Sequence, residues 1–385
     1  MEMMNDKANS AAGGTPPDPQ PASPVRRRIV ELDLLRGFFV IVIILDHLQM
    51  WPSPLYLLSG KGLLWGSAAE GFFLVSGFLI GYIRAYKGRT KPLRELTVVL
   101  LRRALKLYLW GIGISLAIIG FTLLVGGDGR LPKLPTEDQL ATPFALLRHL
   151  VTMDAFNDWI YFLRLYAVML AVTPIFLWFV RRRLAWLAAL LSVAVYALSF
   201  LQEIPDAELQ WQLYFFGAAL MGYRFEDVRA WLRGRAGLKT GFGWTLVVLL
   251  VTTTSLSGLT VHAPGFWDRI GLWDFYQWFQ PATADFFSNN PTMPGRVALA
   301  FLWFAGFLAL FHILRTPLEK YLGWLLLPFG TMSLTAYCLQ ALVLPLLVLV
   351  FVPHGVVVNT IQGLLSIGII WFLLGRRSVQ RLLPQ

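Results

Sequence analysis

The sequence predicts an all-α protein: a polytopic integral membrane bundle of about ten transmembrane helices, with both termini in the cytoplasm. Hydrophobic residues occupy 56% of the 385 positions and charged residues only 14%, which excludes an ordinary soluble enzyme. The apolar residues form continuous runs and do not alternate with polar ones, which favours helices over an outer-membrane barrel. Lys and Arg concentrate in alternate connections between these runs, as expected of a multi-pass protein.

The start of the chain differs from the rest in composition. Residues 1–25 are mainly Pro, Ala, Gly and Ser with scattered charge, so we predict a disordered cytoplasmic tail there and a membrane domain over 26–385. The first apolar run contains Asp46 and His47 and has no small-residue cleavage site. We therefore expect no removable signal peptide.

Each predicted span is an apolar run near the length of about 20 residues that a membrane helix needs. In order, the ten runs are Leu34–Met50, Leu63–Tyr82, Leu107–Val125, Ile160–Val180, Leu184–Leu201, Leu209–Phe225, Phe242–Leu259, Val297–Leu314, Thr331–Val352 and Val356–Leu374. The stretch from Leu322 to Phe329 is also apolar, but it is too short to cross and is predicted to lie in the membrane interface.

The basic residues predict the orientation of these spans. With a cytoplasmic N-terminus, 25 of the 33 Lys and Arg lie on the inner side, six lie on the outer side, and Arg36 and Arg164 lie within spans. The net charge of +11 is thus a topology signal, and its spread over short loops argues against a nucleic-acid partner. With Cys338 as the single cysteine, we expect no intrachain disulfide and no thiolate metal cluster.

Ionisable residues inside the first two spans point to a function, because a charge near the bilayer centre costs on the order of 3 kcal/mol. Arg36 and His47 are eleven positions apart, which places them on one helix face about 16 Å from each other. Asp46 points roughly 100° away from His47, so it is expected to meet another helix. The first helix therefore carries a cation near its inner end and an imidazole near its outer end.

Glu70 is the ionisable residue of the second span, and we expect it at the depth of His47. A His–Glu pair orients the ring and raises its basicity, as a general base acting on a hydroxyl requires. The alternative, a buried polar contact that only fixes helix packing, has equal weight from spacing alone. For Ser76 and Gly77, close helix packing is favoured over a catalytic serine because no nucleophile elbow surrounds them.

Two segments resemble a known family. The sequence Glu31-Leu-Asp-Leu-Leu-Arg36-Gly37, continuing to Asp46-His47, resembles the first-span signature of the membrane-bound acyltransferase 3 superfamily. Gly66-Ser-Ala-Ala-Glu70-Gly-Phe-Phe-Leu-Val-Ser-Gly-Phe-Leu is similar to its second-span signature, in the version typical of the OpgC-type branch, the succinyltransferases of osmoregulated periplasmic glucans. Weaker similarities cover most of the chain from Arg28. Two positions depart from the pattern: Arg164 replaces an apolar residue or proline, and Gln340 replaces a frequent histidine.

The resemblance implies an enzyme of the bacterial inner membrane that moves an acyl group, succinyl or acetyl, from cytoplasmic acyl-CoA to hydroxyls of a periplasmic or cell-surface glycan. Acyl-CoA is then a co-substrate and no tightly bound cofactor is expected. A thioester is already activated, so no metal is required. The lipid bilayer is the remaining partner.

The same resemblance implies roles for the site residues. His47 is the expected base, with Glu70 and Asp46 as the other candidate catalytic residues. The phosphates of CoA are expected to bind to basic side chains on the inner side, namely Arg36, Arg102 and Arg103. Arg164 is expected either to stabilise an oxyanion or to pair with Glu70 or Asp46, and the pairing is favoured.

Other functions stay open at this point. A polytopic transporter or flippase also suits about ten spans with intramembrane ionisable residues, although we find no internal repeat of the kind that transporters carry. Within the enzymes, the alternative is an acetyltransferase that acts on another surface glycan or on an amino sugar.

Overall fold

The computed structural model describes residues 29–126, 131, 135–154, 159–201 and 207–383, and these contain helices but no strand. The predicted tail over residues 1–25 lies outside the described residues. From Glu31 onward, the described residues form one compact helical unit.

Ten helices of the described part of the chain overlap the ten predicted spans, and we call them the long helices: α1 (Val30–Leu48), α2 (Ala68–Tyr86), α3 (Leu93–Val125), α4 (Tyr161–Arg181), α5 (Ala185–Leu198), α6 (Ala207–Leu232), α7 (Ala236–His262), α8 (Pro294–Ile313), α9 (Ser333–Val350) and α10 (Val356–Leu374). The last six residues of α2, Gly81–Tyr86, are π-helical. Further helical segments lie in the connections: Tyr56–Ser59, Gly60–Gly62, Glu137–Leu140, Pro143–Val151, Ser199–Leu201, Pro264–Arg269, Trp273–Phe286, Arg315–Pro317, Leu318–Leu322, Gly323–Thr331 and Arg377–Leu382.

Each predicted span falls on one of these helices, and seven of the described helices are long and apolar enough to cross a membrane: α2, α3, α4, α7, α8, α9 and α10. The other three long helices do not meet this length and composition, each for its own physical reason. Helix α1 carries four charged residues along its 19 positions, α5 with its continuation to Leu201 is short, and α6 is more polar. The protein is therefore a multi-pass helical membrane protein with at least seven helices suited to crossing.

Glycines bring α2 and α6 into backbone contact. A Cβ at Gly77 of α2 would overlap the carbonyl oxygen of Phe215, and a Cβ at Gly222 of α6 would overlap that of Phe78. Close approach through small residues is the usual way for membrane helices to gain packing energy without a hydrophobic drive. The packing role predicted for Gly77 is confirmed.

Helix α1 is enclosed in a similar way near its N-terminal end. A Cβ at Gly37 would overlap the carbonyl oxygen of Leu326, and one at Gly330 would overlap that of Asp33. The segment predicted to lie in the interface is thus the short helix Gly323–Thr331, and one of its faces packs directly on α1.

The connection between α1 and α2 folds back into the protein. Trp65 is buried, its backbone N–H donates to Ser257 Oγ at 2.9 Å, and its ring stacks on Phe287 at 4.6 Å. Residues 63–67 belong to this connection, so α2 begins at Ala68 and not at Leu63. Glu70 consequently lies in the first turn of α2, where it completes a capping box with Ser67.

Candidate active site

One face of α1 holds both residues that the sequence predicted to act together. The guanidinium carbon of Arg36 lies 5.6 Å from the ring centroid of Phe72, and the His47 ring stacks on Trp159 at 5.9 Å. Phe72 in turn packs on Phe162, with ring centroids 4.9 Å apart. The predicted separation of about 16 Å follows from the helix rise alone.

At the N-terminal end of this face, Arg36 has Arg103 of α3 as a neighbour. Arg36 interacts electrostatically with Asp33, Tyr166 and Arg103, and the Arg103 guanidinium lies 6.0 Å from the Tyr166 ring. The Nε atoms of Arg36 and Arg103 are buried and have no hydrogen-bond partner among the described residues. Two neighbouring guanidinium groups repel each other and retain unused donors, which is an arrangement that favours an anion.

Arg102 differs from its neighbour in the chain. It is exposed on α3, whereas Arg103 is partly buried and reaches Tyr166. Of the three arginines predicted to bind acyl-CoA, the structure therefore brings Arg36 and Arg103 together and leaves Arg102 on the surface.

The C-terminal end of the face is centred on His47. Its ring is nearly parallel to that of Trp159, with an angle of 11° between the two planes. The side chain of Gln340 on α9 lies next to the imidazole. Nδ1 of His47 is buried and has no hydrogen-bond partner in the described part of the chain.

Asp46 faces a different neighbour from His47, as its position on the helix predicted. Its carboxyl lies near the hydroxyl of Ser59, and a Cβ at Gly62 would lie 3.7 Å from Asp46 Oδ2. The carboxyl thus points at the connection between α1 and α2.

Glu70 does not meet His47 in the structure. Its Oε1 forms a buried ion pair with Arg296 Nε, and its Oε2 accepts the backbone N–H of Ser67 at 2.9 Å. The ring of Phe39 packs on Gly71, so Glu70 lies near the level of Phe39. His47 is eight residues further along α1, which is about 12 Å. The expected hydrogen bond between Glu70 and His47 is therefore wrong, because it assumed a helix that began at Leu63.

Arg296 is the residue that sequence reasoning missed. It is a buried residue in the first turn of α8, and its Nη1 also donates to the Phe287 carbonyl at 3.1 Å. One signal was available: Arg296 immediately precedes the apolar run that starts at Val297. A lone cation at the edge of a span is a natural partner for a lone buried carboxylate.

Arg164 also has other partners than the two predicted. It forms an ion pair with Glu208 on α6, and its Nη1 lies 3.4 Å from Asp154 Oδ1 and donates to the Met153 carbonyl at 3.2 Å. The expected pairing with Glu70 or Asp46 is wrong, since α4 presents Arg164 to α6 and not to α1 or α2.

A comparison with protein families matches residues 28–377 to the OpgC protein family. The chain belongs to the OpgC family. This match covers most of the 385 residues, including both ends of the α1 face and the buried pair at Glu70. The comparisons with curated proteins and with solved structures gave no match.

Membership of the OpgC family, together with the apolar helices, indicates a membrane protein of the glucan-modifying acyltransferase type. The α1 face is compatible with that chemistry, because it has arginines at one end and an imidazole at the other.

Proposed function

We propose that this protein is an acyltransferase of a bacterial inner membrane, which transfers a succinyl or acetyl group from cytoplasmic acyl-CoA to hydroxyls of a periplasmic or cell-surface glycan. The observation that carries the proposal is the α1 face, with the Arg36–Arg103 cluster at one end and His47 about 16 Å away at the other. A donor and an acceptor that approach from opposite sides of a membrane need such a face.

The proposed topology places all ten long helices across the membrane, with both termini cytoplasmic. The 25-to-six division of Lys and Arg supports this orientation. It puts Arg36 on the donor side and His47 on the acceptor side. Helix α1 tolerates its charged residues because its apolar side chains are buried among other helices and not exposed to lipid.

In the proposed reaction, His47 takes the proton of the acceptor hydroxyl as the hydroxyl oxygen attacks the thioester carbonyl. The tetrahedral intermediate collapses with cleavage of the carbon–sulfur bond, and the imidazolium returns the proton to the CoA thiolate. Arg36 and Arg103 bind CoA phosphates by charge-assisted hydrogen bonds. Asp46, which faces the outer connection, is proposed to hold further hydroxyls of the acceptor.

A sided transfer assay tests this function. Inside-out vesicles that contain the protein and a luminal glucan receive labelled succinyl-CoA or acetyl-CoA from outside, and right-side-out vesicles serve as the control. We expect label on the glucan only in inside-out vesicles, and the better donor identifies the acyl group. Absence of label from both donors, with correctly folded protein, would reject the proposal.

Cysteine labelling tests the proposed topology. After Cys338→Ala, single cysteines replace exposed residues at Asp268 and His354 on the proposed outer side and at Arg182 and Arg233 on the inner side. In intact spheroplasts, an impermeant maleimide is expected to label the first two and to reach the others only after permeabilisation. Labelling of position 233 from outside would contradict the ten-span arrangement.

A further inference from the structure

We propose that Gln340 is the positioning residue of His47, and that its side-chain oxygen accepts the imidazole Nδ1–H during the reaction. This leaves Nε2 of His47 without a proton and directed at the acceptor hydroxyl. The inference rests on the proposed function, in which His47 is the base. It assigns to Gln340 the orienting role that the sequence predicted for Glu70.

The first observation is the hydrogen-bonding state of the two side chains. Gln340 is 0% exposed, and neither its Oε1 nor its Nε2 has a hydrogen-bond partner within the described residues. The same holds for Nδ1 of His47, and the two side chains are neighbours. A buried polar atom without a partner costs about 1–3 kcal/mol, so an acceptor oxygen beside an imidazole nitrogen is strongly favoured to form a bond.

The second observation is the geometry around the ring. Trp159 stacks on the His47 imidazole with an angle of 11° between the planes and restricts rotation of the ring. A ring held in this plane needs its hydrogen-bond partner at the ring edge. Gln340 on α9 supplies such a group, whereas Glu70 is occupied by Arg296 and Ser67.

An amide is a suitable hydrogen-bond acceptor for a histidine that acts as a base. A histidine base needs one tautomer, and an acceptor at Nδ1 selects the tautomer with a free Nε2. An amide oxygen accepts this bond without placing a negative charge in an apolar site, where an unpaired carboxylate is costly. Gln340 therefore orients the base without taking up the proton.

A packing role predicts the opposite mutational result. If Gln340 only fills space, Gln340→Leu removes unsatisfied polar atoms from a buried site and is tolerated. If Gln340 positions His47, the same change leaves the ring without its acceptor, and turnover falls by roughly 10- to 100-fold with an unchanged KM for acyl-CoA. Gln340→Glu keeps an acceptor oxygen and is expected to retain more turnover than Gln340→Leu.

Gln212 offers a matched control. It is a buried glutamine on α6 whose Oε1 accepts the Ser192 hydroxyl at 2.6 Å and whose Nε2 donates to the Ser192 carbonyl at 2.7 Å. Gln212→Leu is expected to lower the melting temperature of the protein and to leave kcat per folded molecule unchanged. In the His47→Ala background, Gln340→Leu is expected to add no further loss of turnover.

The deciding experiment measures the tautomer of the His47 ring by ¹⁵N NMR of the full chain in detergent, with labelled histidine. His47→Ala identifies the His47 signal among the five histidines. We expect the Nδ1–H tautomer in the wild type and a shift toward the Nε2–H tautomer in Gln340→Leu. A Gln340→Leu protein with wild-type tautomer and wild-type turnover would overturn the proposal. If the vesicle assay shows no transfer, the proposed function fails, and the tautomer measurement alone decides whether Gln340 positions His47.

Discussion

The Glu70–Arg296 pair and the His47–Gln340 pair both lie among packed helices, but their hydrogen bonding differs. Both oxygens of Glu70 are used, and Arg296 reaches a carbonyl in addition. At the other pair, Nδ1 of His47 and both polar atoms of Gln340 lack partners among the described residues. Buried polar groups are normally satisfied, and the exceptions concentrate where a protein works.

The comparison distinguishes a pair that is expected to stabilise the fold from a pair that is expected to act in the reaction. A satisfied ion pair is expected to act on folding, because removing one partner leaves an uncompensated charge. The pair at His47 is expected to act on turnover, because the proposed hydrogen bond from Nδ1–H to Gln340 holds the base in the tautomer that the reaction needs. Mutations at the two centres therefore have different expected readouts.

The largest expected effect is on turnover at the unsatisfied pair. His47→Ala removes the proposed base, so the transfer rate should fall by about 10² to 10⁴ while thermal stability in detergent changes little. Initial rates in inside-out vesicles provide the measurement. His354→Ala, a change at an exposed histidine, should keep the wild-type rate. Near-normal transfer by His47→Ala would remove His47 from the chemistry.

The next effect is on stability at the satisfied pair. Arg296→Met leaves the Glu70 carboxylate buried without its cation, so the free energy of unfolding should fall by roughly 3–5 kcal/mol. Adding Glu70→Gln should restore part of this loss, because the uncompensated charge is gone. Chemical denaturation in detergent measures both changes.

A surface pair provides the control for that experiment. Arg224 and Asp227 form an exposed ion pair at 3.0 Å, with side chains 63% and 59% exposed. Arg224→Met should change the free energy of unfolding by less than about 1 kcal/mol, because exposed pairs are screened by water. Equal losses in Arg224→Met and Arg296→Met would mean that burial does not distinguish the two pairs.

A smaller effect is expected at the inner end of the α1 face. Arg36→Ala and Arg103→Ala each remove a charge-assisted contact to the proposed donor, worth about 1.5–3 kcal/mol, so KM for acyl-CoA should rise roughly 10- to 100-fold. The value of kcat at saturating donor should change little. Steady-state kinetics with varied acyl-CoA test this.

The smallest effect is expected at Arg102. Its exposed position on α3 predicts a rise in KM well below that of Arg103→Ala, although the two residues are adjacent. The pair of variants thus compares two neighbouring arginines of equal charge. A larger effect for Arg102→Ala would place the donor on the exposed surface of α3 and not at the Arg36–Arg103 cluster.

The sequence by itself determined the helical class, the positions of the long apolar helices and the shared face of Arg36 and His47. These properties depend on composition or on the geometry of a single helix, where 3.6 residues per turn relates two positions before any packing occurs. The packing role of Gly77 was also predictable, since small residues in an apolar run mark close helix contacts.

Only the tertiary structure decided which side chains meet across helices. The partners of Glu70, Arg164 and His47 depend on where each helix starts and on which neighbour faces it. The buried Trp65 connection moves the start of α2 to Ala68, and this shift takes Glu70 from His47 to Arg296. The sequence marked Gln340 only as a departure from the family pattern and did not indicate its neighbour, whereas the fold places it beside the imidazole. Distances between helices arise from packing, so the hydropathy of each apolar run cannot predict them.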